Sequence, residues 1–110
     1  MSVKMRMLRV LDLEDTTGLV DHHIKHIGKL LHLIYLSLRG CEAIYHLPDL
    51  IGNLMQLQTL DIRDTSIVIL PRSIVKLRKL QYLGCSNKLI RSQRYLEACM
   101  FFLYWTLHTL

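Results

Sequence analysis

The stretch LDIRDTSIVILPRSIVKLRKLQYL, residues 60–83, carries leucines and isoleucines at intervals that fit neither one helix nor one strand. Leu60 and Ile62 are two apart, the alternation of a strand with one buried face. Ile74 and Leu77 are three apart, the spacing of a single helical or 3₁₀ turn that shows one face. Pro71 sits where a first helical turn tolerates a missing N–H. The period therefore changes inside the segment: strand, turn, short helix, and back.

The same phrase recurs on both sides. Units open at Leu8, Leu33, Leu57 and Leu80, spaced 25, 24 and 23 residues apart. The spacing L-x-x-L-x-L holds as Leu8/Leu11/Leu13, Leu33/Leu36/Leu38 and Leu57/Leu60/Ile62. A second half, L-P-x-x-I-x-x-L, holds as Leu47/Pro48/Ile51/Leu54 and Leu70/Pro71/Ile74/Leu77. The first unit keeps only Ile27 and Leu30 of that half, and the fourth, LQYLGCSNK, soon decays. Self-similarity at this period marks a solenoid. The third unit turns Leu57, Leu60, Ile62, Ile67, Leu70, Ile74 and Leu77 inward. Such a coil cannot close a core alone and is covered by the coils above and below it. A leucine-rich helical bundle does not require matched registers in three units.

The longer phrases carry a resemblance. The pattern L-x-x-L-x-L, with a turn residue three positions on at Thr16, Cys41 and Thr65, is that of leucine-rich repeats. HIKHIGKLLHLIYLSLRGC, LPDLIGNLMQLQTLDIRDTSI and LPRSIVKLRKLQYL resemble the repeat region of plant intracellular disease-resistance proteins of the coiled-coil class. The resemblance runs from Leu8 to about Leu83. A weaker one is to Ras-pathway scaffold proteins with the same repeat subtype. The resemblance implies an α/β leucine-rich-repeat solenoid: a short horseshoe with a parallel sheet of about four strands, short convex helices and a C-terminal helix. It also implies a cytoplasmic protein-binding module in pathogen recognition. The partner would be a pathogen effector, a host guardee, or the switch domain of a disease-resistance protein. No GxxxxGK[ST] occurs, so nucleotide binding does not carry over and no cofactor is expected. The chain then looks like a fragment, a truncated remnant without independent activity, or a small stand-alone relative.

Stacking the units aligns outward strand residues into columns that form a concave wall. The columns are Val10/Tyr35/Thr59/Tyr82, Asp12/Ser37/Asp61/Gly84, Glu14/Arg39/Arg63/Ser86 and Asp15/Gly40/Asp64/Asn87. Parallel strands lie ~4.8 Å apart, which lets Glu14 pair with Arg39. Arg39 and Arg63 repel unless Asp64 or a partner's carboxylate offsets them. Tyr35 and Tyr82 beside two arginines are the residue types enriched at binding hot spots. Tyr35, Arg39, Asp61, Arg63 and Tyr82 are therefore the candidate protein-binding residues.

Other features point away from chemistry. The chain has 110 residues, 51% of them hydrophobic, and a formal charge of +5, which fits one small folded domain. Cys41, Cys85 and Cys99 are odd in number and without CxxC, so a reducing compartment fits better than a disulfide framework. Cys41 reads as a structural buried thiol. His22, His23 and His26 invite a metal, but no HExxH accompanies them and they fall on the convex side. No nucleophile motif is present, and no enzyme is expected. From Arg72 to Arg94 the chain is basic, with Arg72, Lys76, Arg78, Lys79, Lys88, Arg91 and Arg94, and reads as a solvated convex face; nucleic acid is not expected as a partner. Residues 1–88 form the repeat domain, and 89–110 a helical tail outside it. Its apolar run Ala98–Leu107 is too short to span a bilayer, and no stable membrane insertion is expected. Three readings stay open for the tail: a cap on the last coil, a membrane-surface helix, or sequence appended to an interrupted reading frame.

Overall fold

The computed structural model describes residues 3–85. The expected tail at 89–110, and Ser86 and Asn87 of the wall columns, lie outside them.

A short helix α1 (Val3–Arg6) leads into four parallel strands: β1 (Val10–Asp12), β2 (Tyr35–Ser37), β3 (Thr59–Asp61) and β4 (Tyr82–Gly84). Their spatial order is their chain order. The register is the one the repeat spacing demands: Leu11, Leu36, Leu60 and Leu83 stand side by side. Backbone bonds tie coil to coil beyond the strands, from Leu13 N to Ser37 O at 2.9 Å, Leu38 N to Asp61 O at 2.8 Å and Ile62 N to Gly84 O at 2.8 Å.

The convex elements are 3₁₀ turns: Asp21–Ile24, Ile27–Lys29, Asp49–Asn53 and Arg72–Lys76. A spacing of three between buried residues suits the 3₁₀ repeat, which eclipses side chains at i and i+3. Pro48 and Pro71 precede two of these turns with φ of −68° and −65°, the value the ring imposes. Their carbonyls accept the Ile51 and Ile74 N–H groups at 3.0 and 3.1 Å.

The core is the set of residues that the repeat turns inward. All seven assigned to the third unit are buried, as are Leu33, Leu36, Leu38, Leu47, Ile51 and Leu54 of the second. Leu8, Leu11 and Leu13 of the first unit are only half-buried, packed against the core from one side. The turn residues act as their short side chains allow. The Thr65 hydroxyl donates to Ile62 O at 2.8 Å, and the Cys41 thiol to Leu13 O of the coil before at 3.1 Å. Thr16, on the outermost coil, is exposed.

Neighbouring turns approach closely where the sequence places glycine. A Cβ on Gly28 would stand 2.5 Å from Leu50 O, and one on Gly52 2.7 Å from Ser73 Cβ. Val75 holds the same column in the third coil and is 40% exposed. Gly52→Ala is therefore expected to lose about 1–3 kcal/mol to overpacking. Val75→Ala should stay within about 0.5 kcal/mol of wild type. Urea denaturation followed by circular dichroism checks both, and equal losses would mean that the turn spacing is not set by these glycines.

Candidate functional site

The four strands present one concave wall. Its first column is the paired set Val10, Tyr35, Thr59 and Tyr82, and its second is Asp12, Ser37, Asp61 and Gly84. Val10 is 60% and Tyr82 45% exposed, while Tyr35, between two neighbours, is half-buried.

The second column does a local job. Asp12 Oδ1 accepts the Glu14 N–H at 3.0 Å, Ser37 Oγ the Arg39 N–H at 3.4 Å, and Asp61 Oδ1 the Arg63 N–H at 3.1 Å. In each coil this side chain satisfies the backbone as the strand ends, the behaviour expected of Asp and Ser at turns. Two of the three are also buried: Ser37 is 1% and Asp61 5% exposed. The fourth column is likewise turn rather than wall. Asp15, Gly40 and Asp64 take left-handed φ values of 57°, 79° and 58°. Gly and Asp reach that region at the lowest cost.

Asp61 and Arg63 form the strongest polar unit on the wall. Arg63 Nε donates to Asp61 Oδ1 at 3.0 Å and Nη2 to Oδ2 at 2.8 Å, a bidentate fork. Burial pushes the Asp61 carboxyl up. The Arg63 side-chain bonds, its backbone N–H and the charges of Arg63 and Arg39 together outweigh that and hold it below the usual carboxylate value. Asp61 in turn, through the same bonds, raises the Arg63 guanidinium. Opposite them lies Gly84, where a Cβ would stand 2.8 Å from Asp61 Oδ1 and 3.0 Å from the Tyr82 ring. Gly84 thus leaves room for the carboxylate and the Tyr82 ring to share one place.

Arg39 spans three coils, 3.5 Å from Glu14 and 3.7 Å from Asp64. The expected Glu14–Arg39 pair is present, and Asp64 offsets the two arginines. Exposed pairs of this kind contribute roughly 0–1 kcal/mol each, so they orient Arg39 more than they stabilise the fold. In all, the described part of the four columns holds five carboxylates against two guanidiniums.

Of the five candidate residues, the structure thus gathers Asp61, Arg63 and Tyr82, sets Tyr35 two strands away from Tyr82 and places Arg39 among carboxylates of its neighbours. Asp61 is not free to meet a partner, because Arg63 occupies both its oxygens. The i, i+2 spacing of Asp61 and Arg63, which puts both on one strand face, is the signal that could have identified the pair. Gly84 carried no comparable signal.

The remaining chemistry-bearing groups sit elsewhere. His22 and His23 lie in the first 3₁₀ turn, and His23 Nδ1 accepts the Val20 N–H at 3.0 Å. Among the described residues, no three His, Cys, Asp or Glu side chains come together as metal ligands. Burial pushes the Cys41 thiol up, away from the reactive thiolate. Among the described residues no helix is long and apolar enough to cross a membrane.

Comparison with known proteins places this geometry. A family model described as leucine-rich repeat region matches residues 1–97. The rice disease resistance protein Pik-2 is 44% identical over 82 residues, 74% of this chain and 8% of the relative. A rice disease resistance protein RGA4 is 46% identical over 68 residues, 62% of this chain and 7% of the relative. The Arabidopsis probable disease resistance protein RXW24L is 40% identical over 81 residues, 73% of this chain and 9% of the relative. The chain thus spans under a tenth of the length of these relatives. Its coils, their register and these matches show that the chain belongs to the leucine-rich-repeat family, in the form found in the repeat region of plant disease-resistance proteins.

Proposed function

We propose that this chain is a protein-binding module of plant defence, working in the cytoplasm, and that its partner rests on the concave wall. The partner is another protein: a pathogen effector, a host guardee, or the switch domain of a resistance protein. The supporting observation is the Tyr82–Arg63 corner. An exposed aromatic ring stands beside a guanidinium already fixed by Asp61 beneath it. A side chain held before binding loses less entropy when the partner arrives. Tyr35 and Arg39 extend the same surface toward the first coil.

A two-hybrid screen of effector and host libraries with the wild-type chain provides the test. Tyr35→Ala with Tyr82→Ala is expected to weaken its interactors about 10–100-fold. Tyr45→Ala, which removes an exposed ring outside the wall, should leave them unchanged. Interactors that keep their affinity for the double variant would move the partner off this wall.

The Asp61–Arg63 pair also carries a pH signature. The folded-state value of Asp61 is depressed, so its stabilising contribution is complete above about pH 4, the ordinary aspartate range. That contribution is lost as pH falls further, through the folded value. Asp61→Asn is expected to lower Tm at pH 7 by about 5 °C. The gap to wild type should narrow toward pH ~2. A gap that stays constant across this range would mean that the carboxylate charge does not hold Arg63.

A further inference from the structure

A second surface lies away from the wall, on the flank of the first two coils. Arg6, the last residue of α1, and Met7 just after it face Gly28, Lys29, Leu31 and His32 across a cavity of about 490 Å³, with Asn53 of the next coil beside them. That size suits one or two side chains of a ligand.

The lining has two characters. Met7 is 62% and Leu31 54% exposed, both far from the core that buries most leucines of this chain. Arg6 and Lys29 supply positive charge beside His32, and among the described residues no carboxylate lines the cavity. Neither Arg6 nor Lys29 has an ion pair among the described residues. Lys25 and His26 stand just before this stretch in the chain. The charge of Lys29, with burial and then Lys25 as lesser causes, holds the His26 imidazole below its ordinary value. Asp21, four residues before Lys25, is taken up by the Tyr45 N–H at 2.7 Å and by His46 Nδ1 at 2.9 Å.

We propose that this cavity binds an acidic segment of a partner protein. In that segment a carboxylate meets Lys29, His32 and Arg6, and an adjoining aliphatic side chain covers Leu31 and Met7. Other anions use the site less well. A nucleic acid calls for an extended cationic track with stacking rings, and among the described residues no Tyr, Trp or Phe lines the cavity. A bilayer surface does not enter a concavity, and a bare phosphate leaves Met7 and Leu31 uncovered.

The test is an NMR titration of the full ¹⁵N-labelled chain with a short peptide of alternating glutamate and leucine. Amide shifts are expected at Lys29, Leu31, His32 and Asn53. Lys29→Glu with His32→Glu, both exposed and outside the core, is expected to weaken the peptide about tenfold. Raising salt to about 0.5 M should weaken it as well, and Leu31→Ser should do so at any salt. Equal binding of a lysine–leucine peptide would overturn the proposal. So would shifts confined to the strands, or capture by phosphatidylserine vesicles in preference to the peptide.

Discussion

No coil of this chain owns its core. Leu11, Leu36, Leu60 and Leu83 occupy one register position in four strands. Leu36 and Leu60 are 0% exposed, while Leu11 and Leu83 are only partly buried. Residue type, strand and register are the same, so the neighbours make the difference. Burying such a side chain contributes roughly 1.5–3 kcal/mol, and only a coil with another on each side collects it in full. Stability is therefore a nearest-neighbour property. Polar rungs follow the same rule. Ser66 Oγ donates to Glu42 O and Ser73 Oγ to Asp49 O, each 24 residues back, where the preceding coil passes.

This division of labour frees the outer faces. Because Leu, Ile and the backbone ladder hold the coils in register, residues between them can change without unstacking the solenoid. The chain uses that freedom to separate charge. Carboxylates gather at the strand ends and the turns after them, around Arg39 and Arg63, and cations gather on the flank around Lys29. A formal charge of +5 for the whole chain conceals both.

Direction was legible in the sequence, and depth was not. Once Leu36 and Leu60 point inward, the pleat sends Tyr35, Ser37, Thr59 and Asp61 to the other face, and the strand pairing agrees. Alternation does not say how far a side chain then reaches. Ser37 and Asp61 bend back to their own strand ends and leave solvent. Asp15 and Asp64 align with the wall by count, yet the chain has already turned there into left-handed backbone. Gly40 in the same column, and the turn residues Thr16, Cys41 and Thr65 just after it, were the hints of that turn. The flank cavity was invisible because Arg6, Lys29 and Asn53 come from three separate segments. Their convergence depends on how coils stack, and no single period in the sequence encodes it.

The stacking step itself rests on small residues as well as large ones. Gly28 and Gly52 allow the next turn to lie almost on their backbone, with Leu50 and Ser73 at distances a side chain would forbid. The slender 3₁₀ turn serves the same end, since a full α-helix is wider and would hold neighbouring coils further apart. Val75 breaks the series. A coil laid over Val75 has to stand further off than Ser73 stands from Gly52. The sheet makes no such distinction, for β4 pairs with β3 in the same register as the strands before it.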